Sequence, residues 1–361
     1  MTILLFVLVL VALIVVHEFG HFVAAKLSGM RVDEFGIGYP PKIVGKKFGE
    51  TEYTLNWIPF GGFVRIYGED STSAEGKRAF SAKPRILQAL VLLAGIGMNL
   101  LFAWLLLSMT LAMGMPRALT ADEITTAPDA ALMVASVLPD SPADEAGLRQ
   151  GDVILSATSA DNEFVGVDSL AFANYIAEEA EPLTLTVSRM EESITLDAVP
   201  EKGIIAADPG RHALGVALVT VGTIPVSWWQ APYEGLIFTW EVTKQTAVGL
   251  AGFFAGILTL SADLSQVSGP VGIAGAVGTA SENGLASLLS ITAIISINLA
   301  LINIIPIPAL DGGRLLFVLI EAVTRRPIRP GIANAVNAAG FGLLILLMVV
   351  VTASDLFKIF S

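Results

Sequence analysis

Four long apolar segments dominate the hydrophobic pattern of this 361-residue chain. They cover residues 3–25, 86–113, 285–305 and 332–351. Each is close to the roughly 20 residues that a helix needs to cross the hydrocarbon core of a bilayer. The pattern therefore predicts a multi-span α-helical membrane protein with about four transmembrane helices.

A fifth apolar segment, residues 232–260, has a different character because charged side chains interrupt its first half. Glu234, Glu241 and Lys244 all fall within it. We expect an amphipathic helix that lies at the membrane surface, with its polar side in water. A second insertion into the bilayer is the alternative.

Between the first two spans, residues 32–68 alternate in polarity and contain many turn formers. Two alternating runs flank the turn-forming segment 59–62, which is typical of a β-hairpin. The hairpin is unusually apolar for a loop between spans. We therefore predict a membrane-associated β-hairpin, or β-loop, that dips toward the bilayer.

From residue 116 the composition becomes that of a soluble protein, with short strands and one helix of regular spacing. This indicates a small α+β domain inserted between the membrane segments. The predicted organisation has four parts: an N-terminal membrane part (1–114), the inserted domain (115–202), an extended connector (203–231) and a C-terminal membrane part (232–361).

The charges are distributed unevenly along the chain. Only 15% of residues are charged and 54% are hydrophobic, whereas soluble domains carry about 25% charged residues. Residues 26–85 hold ten bases and seven acids, but residues 116–285 hold six bases and 22 acids. By the positive-inside rule the basic loop is cytoplasmic, and the acidic domain and both termini are extracytoplasmic. The split does not favour nucleic acid as a partner, and the absence of cysteine excludes thiol chemistry.

The first span ends in the sequence His17-Glu18-Phe19-Gly20-His21, an HExxH motif. Positions i and i+4 lie on one helical face, so both imidazoles can bind one metal ion. The carboxylate of Glu18 lies beside them as a candidate general base. Ionisable groups inside an apolar span are costly unless paired or metal-bound. The motif therefore predicts a metal site, and a polar cluster that joins helices is the alternative.

A catalytic zinc normally has three protein ligands and one open position. The remaining histidine, His212, lies in the acidic region, where we interpret it as a surface residue. The third ligand is therefore expected to be an acid, and Asp311 is the candidate. Pro306 and Pro308 precede it, and irregular backbone within a membrane is tolerated where it is buried or lines a cavity. The alternative is a simple turn in which Asp311 caps the next helix.

The combination of motifs resembles the site-2 protease family of intramembrane zinc metalloproteases. An HExxH motif in the first span is followed by NxxPxPxLDGG at residues 303–313. Gly95 and Asn99 fit the family's GxxxN element, and residues 269–273 read GPVGI. The inserted domain resembles a PDZ domain, as in the branch of the regulator of sigma-E protease, although only one such unit is recognisable.

This resemblance implies one Zn²⁺ per chain, held by His17, His21 and Asp311, with Glu18 as the general base. It implies that Asn303 contacts the substrate or stabilises the developing oxyanion, and that the β-loop pairs with an unwound substrate. The substrate-binding residues expected on this basis are Asn303, Asn99, Tyr53, Leu55, Trp57, Gly61, Gly62 and Phe63.

The inserted domain supports the same resemblance through Ser141-Pro142-Ala143 and the segment 146–152, which are similar to the permuted PDZ domains of bacterial proteases. A strand over 132–137 would form the edge of the groove that takes peptide or protein C-termini.

We therefore predict an intramembrane zinc endopeptidase of the bacterial inner membrane. It would cleave single-span membrane proteins within or near the bilayer, with an anti-sigma factor or a signal-peptide remnant as the substrate type that the resemblance offers. The alternative is a non-catalytic membrane PDZ receptor with a vestigial metal site. A transporter is a weaker reading because the chain shows no repeated halves.

Overall fold

A computed structural model describes residues 2–69, 76–114, 116–160, 162–179, 181–189, 192–205, 208–224, 226–259, 269–326 and 328–360. The chain forms two compact units. The first, which we call the membrane unit, comprises Met1–Leu111 and Ser227–Ser361. The second, the inserted domain, comprises Ala112–Val226.

The regular elements follow one another along the chain, with a single 3₁₀ turn at Phe80–Ala82. In order they are α1 (Thr2–Leu27), β1 (Val32–Phe48), β2 (Thr51–Ile66), α2 (Arg85–Ala112), β3 (Pro116–Ala118), α3 (Ala121–Ile124), β4 (Ala131–Val137), α4 (Pro142–Glu145), β5 (Val153–Thr158), β6 (Glu163–Phe164), α5 (Ser169–Glu178), β7 (Leu183–Arg189), β8 (Glu192–Ala198), β9 (Val216–Thr223), α6 (Ala231–Leu258), α7 (Pro270–Glu282), α8 (Leu285–Ile304), α9 (Asp311–Thr324) and α10 (Pro330–Phe360).

Four described helices are long and apolar enough to cross a membrane. They are Thr2–Leu27, Arg85–Ala112, Leu285–Ile304 and Gly331–Phe357. These helices coincide with the four apolar segments of the sequence, because a run of about 20 apolar residues satisfies its own backbone only as a helix in lipid. Helix α6 is not among them, and its placement at the interface or across the bilayer stays a prediction.

Helices α1 and α2 approach each other at backbone distance. A Cβ atom added to Gly20 would overlap the carbonyl oxygen of Ala94, so only glycine permits the crossing. Small residues of this kind allow close helix packing in membranes, where no hydrophobic force drives helices together. The crossing lies at the HExxH motif and sets α2 against the face that carries both histidines.

Helix α8 lies next to α2 on the other side. Ala103 and Leu107 of α2 pack with Ala293 and Ile297 of α8 in one buried cluster. The hydroxyl of Ser296 donates to the backbone carbonyl of Asn99 at 2.8 Å. This packing fixes the end of α8, from which the chain continues into the segment that contains Asp311.

Strands β1 and β2 form an antiparallel pair that is bent into four segments. The chain reverses at residues 49–50 and again at the predicted turn 59–62, because residues 52–55 and 62–65 pair with 34–37 in opposite directions. Residues 34–37 lie between these two runs, so the direct pairing of the runs that a hairpin requires is wrong. Residues 34–37 pair with 62–65 on one side and with 52–55 on the other, and residues 42–48 pair with 51–56. The segment around 62–66 therefore forms one edge of the sheet and 42–48 the other.

The inserted domain is built on a seven-stranded sheet in the order β3-β9-β4-β5-β7-β8, with β6 on β5. Its core includes Leu132, Phe172 and Leu185. Strand β9 lies within residues 203–231, which we predicted to be a connector, so the predicted domain end at 202 is wrong. Strand β9 joins the sheet because its backbone groups pair with those of β4 on the side opposite β5. The edge position predicted for β4 is wrong for the same reason.

Candidate active site

Helix α1 places the two histidines of the HExxH motif on its inner face. Both His17 and His21 are buried, whereas Phe19 between them is exposed. The difference follows from the helical period, because residues four apart share a face and the intervening ones do not. Two imidazoles are thus held side by side inside the membrane unit.

A short irregular segment after α8 places Asp311 next to the two histidines. Pro306 and Pro308 interrupt the helix, and Ala309 adopts a φ of 74°, a conformation that residues with a side chain rarely take. A Cβ atom on Gly312 would overlap the carbonyl oxygens of residues 304 and 305. The glycine therefore allows α9 to begin directly against the end of α8, with Asp311 in its first turn.

The three predicted ligands converge. The Asp311 Oδ2 atom lies 2.9 Å from His17 Nε2 and 3.2 Å from His21 Nε2. The two Nε2 atoms are 3.2 Å apart. These three residues are also the group of described His, Asp and Glu side chains that could hold a metal ion.

The geometry and the donor set both fit zinc. Ligand atoms about 2.0–2.1 Å from a tetrahedral zinc ion lie about 3.3 Å from one another, close to the separations of the three ligand atoms. Two imidazole nitrogens and one carboxylate oxygen form a three-ligand set that leaves one position open, as in catalytic zinc sites. The site therefore suits a catalytic rather than a structural ion.

Helix α2 contacts both histidines from behind. The Nδ1 atom of His21 lies 2.8 Å from the backbone carbonyl of Val91, and the Nδ1 atom of His17 lies 3.2 Å from the side-chain Nδ2 of Asn99. A Cβ atom on Gly95 would lie 2.5 Å from His21 Nε2. Asn99 is completely buried against His17, and its role in substrate binding stays a prediction.

Glu18 follows His17 in sequence and faces the β-loop. A Cβ atom on Gly62 would lie 3.5 Å from the Cγ atom of Glu18, which brings the edge segment of β2 next to the carboxylate. Tyr39, which the sequence analysis did not single out, is also close. Burial raises the pKa of the Tyr39 hydroxyl, and the negative charge of Glu18 raises it further. Only the pairing of β1 with β2 reveals this neighbour, since nothing in its local sequence marks it.

The remaining predicted substrate residues fall into separate groups. Gly61, Gly62 and Phe63 belong to the edge of the β-loop beside α1. Tyr53 and Leu55 lie in the inner segment, where the backbone is paired on both sides with residues of β1. Their backbones are therefore not available to an added strand, whereas the side chains of Tyr53, Leu55 and Trp57 are all exposed.

A cavity of about 360 Å³ lies along the free edge of β2. Phe63, Val64 and Arg65 form one wall, and Ala309 and Asn337 belong to the opposite wall. Ala309 is two residues from Asp311 in the chain. The cavity therefore runs from the sheet edge to the segment that carries the third ligand.

Asn303 and His212 are not among the three clustered ligand residues. Asn303 lies in the last turn of α8 and is half-buried, and its side chain makes no hydrogen bond to the rest of the described chain. His212 belongs to the inserted domain and is not part of the metal cluster; it is half-buried rather than fully exposed.

Comparison with known proteins agrees with this geometry. The model of peptidase family M50 matches residues 5–347. The chain is 37% identical over 347 residues to "Putative zinc metalloprotease CPE1693" of Clostridium perfringens, with 96% of this chain and 95% of that protein covered. It is 28% identical over 452 residues to the zinc metalloprotease RasP of Oceanobacillus iheyensis, with 99% of each chain covered.

Among solved structures, the PDZ domain of an SdrC-like protein from Listeria monocytogenes is similar to 24% of this chain and 85% of its own, with a TM-score of 0.21 and 20% identity. The match to the family model extends over nearly the whole chain and includes all three ligand residues and Glu18. The chain therefore belongs to peptidase family M50 and is a zinc metalloprotease, which confirms the resemblance to site-2 proteases drawn from its motifs.

Proposed function

We propose that this protein is an intramembrane endopeptidase that cleaves single-span membrane proteins within or near the bilayer. The observation that carries the proposal is the meeting of His17, His21 and Asp311 in the membrane unit, beside Glu18 and an open sheet edge. Anti-sigma factors and signal-peptide remnants are the substrate types that the family resemblance suggests.

Each residue has a role in the proposed reaction. His17, His21 and Asp311 would hold a zinc ion, which when bound would supply Lewis-acid polarisation of a carbonyl group and would lower the pKa of water toward about 7. Glu18 takes the proton from the attacking water and passes it to the nitrogen of the leaving amine. Asn303, with no hydrogen bond to the described residues, is free to donate its amide to the developing oxyanion.

The free edge of β2 supports a mode of substrate binding. A transmembrane helix shields its peptide bonds, because each backbone group is already hydrogen-bonded within the helix. A substrate that adds to residues 62–66 as a further strand would replace those hydrogen bonds and remain extended. The cavity lined by this edge and Ala309 lies beside the position that such a strand would take.

The inserted domain would add a second binding surface for a peptide or protein C-terminus, as in PDZ domains. The predicted groove beside β4 is excluded, because β9 covers that strand. Strand β9 itself is the better candidate. Its residues 216–219 pair with β4 on one side, and no other described strand pairs with them. Helix α5 lies close by, since the Thr220 hydroxyl donates to the carbonyl of Val167 at 2.6 Å, just before that helix.

The charge distribution supports a topology in the bacterial inner membrane. The basic region 26–85 would face the cytoplasm, and the acidic inserted domain would lie on the extracytoplasmic side with both termini. Four spanning helices agree with this arrangement, and α6 would lie at the outer interface.

Replacement of Glu18 by Gln tests the activity. We expect cleavage of a single-span model substrate in lipid nanodiscs to fall by about 10²–10⁴-fold, the usual share of general acid–base catalysis, while zinc content is unchanged. Glu241→Gln on α6, an exposed carboxylate of the same unit, is the matched control. Cleavage that persists in Glu18→Gln would contradict the mechanism. A wild-type protein that binds zinc without cleaving would favour the receptor alternative.

Cysteine cross-linking tests the substrate path, since the chain has no cysteine of its own. In the Glu18→Gln background, Arg65→Cys at the free edge should form a disulfide with a cysteine placed near the scissile bond of the substrate. Lys46→Cys on the opposite edge of the sheet is the control. Equal cross-linking at the two edges would contradict strand addition at residues 62–66.

A further inference from the structure

One face of α2 is shaped around the two histidine ligands. Val91, Gly95 and Asn99 are spaced four residues apart and therefore lie in a single row on the helix. The Val91 carbonyl contacts His21, the missing side chain of Gly95 leaves room for both imidazoles, and the Asn99 side chain contacts His17. The row thus contributes one polar group to each histidine.

The contact to His21 sets the tautomer of that ring. A carbonyl oxygen only accepts, so the Nδ1 atom of His21, 2.8 Å away, carries the proton and donates it to Val91. The lone pair then lies on Nε2, the atom that faces Asp311. A ligand held in this way by a backbone carbonyl is the usual outer-shell arrangement of a zinc-bound histidine.

The contact to His17 is different, because its partner is a side-chain amide that can present either oxygen or nitrogen. Here Nδ2 of Asn99 lies 3.2 Å from His17 Nδ1. Either end of an amide can occupy this position, so the contact alone does not assign the proton of the His17 ring. The Oδ1 atom of Asn99 is buried and has no hydrogen-bond partner among the described residues.

Coordination of a metal by His17 Nε2 would fix the tautomer of this ring. The Nε2 lone pair is then used, the proton resides on Nδ1, and the group facing Nδ1 must be an acceptor. A rotation of the Asn99 amide by half a turn exchanges its oxygen and nitrogen without moving the helix. Either orientation leaves one end of the amide without a partner among the described residues, so the position of the His17 proton decides between them.

We infer that Asn99 is a positioning residue for zinc: its side-chain oxygen accepts the Nδ1 proton of His17 when the metal is bound. This inference rests on the proposed function. The hydroxyl of Ser296 donates to the backbone carbonyl of Asn99, so it contacts the same residue without contacting the side-chain amide.

Zinc affinity tests the inference directly. The full-length protein in detergent is titrated with zinc against a chromophoric chelator, for the wild type, Asn99→Leu, Asn99→Asp and Ser296→Ala. Asn99→Leu, which has no acceptor, should bind zinc about 10–100-fold more weakly, the usual effect of losing an outer-shell partner. Asn99→Asp keeps an acceptor and should bind at least as tightly as the wild type. Ser296→Ala removes only the backbone contact and should match the wild type.

Two further readouts separate positioning from packing and from substrate binding. In Asn99→Leu, the cobalt(II) form should show a shifted visible absorption band, because the His17 ring is no longer held. The same substitution should lower the Tm of the zinc-free protein less than it lowers the Tm of the zinc-loaded protein. Equal zinc affinity in Asn99→Leu and the wild type would overturn the inference, as would an Asn99→Asp variant as weak as Asn99→Leu. If Asn99→Leu does not fold, the result for Asn99→Asp decides alone.

Failure of the inference and failure of the proposed activity give different experimental results. A raised KM with unchanged zinc affinity in Asn99→Leu would return Asn99 to a substrate-binding role and overturn the positioning role. A wild-type protein that binds no zinc would instead remove the proposed function itself. A wild-type protein that binds zinc and cleaves, with Asn99→Leu equally tight, would overturn only the inference.

Discussion

The two units of the chain each bury a cluster of ionisable groups, and the clusters are completed in different ways. In the inserted domain, the Asp152 carboxylate accepts from Nε and Nη2 of Arg189, both at 2.7 Å, and from the backbone amide of Arg149 at 2.8 Å. In the membrane unit, Asp311 meets only the two imidazoles, and no Lys or Arg of the described residues forms an ion pair with it.

The difference separates a structural cluster from a functional one. A buried carboxylate is stable when a cation and hydrogen bonds satisfy its oxygens, as Arg189 does for Asp152. No described Lys or Arg takes the place of such a cation beside Asp311. The separations of the three ligand atoms instead match those around a metal ion. A buried charge that the chain does not neutralise by itself therefore marks the site of chemistry.

Removal of the only negative ligand should have the largest effect. Asp311→Asn should lower zinc affinity by more than about 100-fold, beyond the range of outer-shell losses, because a neutral amide no longer balances the charge of the ion. Cleavage should be lost with it. Metal content after dialysis measures the effect. Glu321→Gln on the same helix, which loses an ion pair with Arg85, should keep its zinc, and retention of zinc by Asp311→Asn would contradict the assignment of the third ligand.

A methyl group added behind the histidines should have the next largest effect. In Gly95→Ala the new Cβ atom lies 2.5 Å from His21 Nε2 and 2.8 Å from His17 Cε1, so the rings must move away from the metal position. We expect zinc binding and cleavage to fall together. Gly97→Ala is the matched control, since its Cβ atom has no neighbour within 4 Å and both changes raise helix propensity. Equal activity in the two variants would show that the space behind the ligands is not required.

Disruption of the structural cluster should have the smallest effect on chemistry. Asp152→Asn should destabilise the inserted domain by roughly 1–3 kcal/mol, because Arg189 loses its charged partner, yet zinc binding should be unchanged. Hydrogen exchange of the full-length chain measures the local stability. Asp197→Asn, at an exposed Asp on the same sheet, is the control. Loss of zinc in Asp152→Asn would break the contrast between the two clusters.

The same ion pair predicts a pH dependence. The Arg189 guanidinium holds the pKa of the Asp152 carboxyl below its ordinary value of 3.8. Since the folded-state pKa is the lower one, the stabilisation is fully present above the ordinary pKa and is lost as the pH falls through the depressed value. Protection factors of amides in the inserted domain should therefore fall in acid below about pH 4 in the wild type, and much less so in Asp152→Asn.

Local patterns carried most of the fold prediction. Four apolar runs became the four long helices, because length and hydropathy act within a single helix. The predicted β-loop exists and reverses at 59–62 as predicted, but a further reversal at 49–50 and the insertion of residues 34–37 between the two runs are revealed only by the strand pairing. Strand β9 was misjudged for a related reason, because a strand and an extended connector look alike until the partner strand is known.

The residues of the candidate site also divide into those predictable from local sequence and those placed only by the tertiary structure. The sequence alone determined His17, Glu18 and His21, because their chemistry depends on spacing within one helix, and it identified Asp311 through the motif around it. The tertiary structure decided which side chains surround them. It brought Asp311 to 2.9 Å from His17 across 294 residues of sequence, placed the Asn99 side chain against His17, and set the edge of β2 beside Glu18. Spacing along a helix is local, whereas these contacts arise only when α1, α2, α8 and the β-loop pack together.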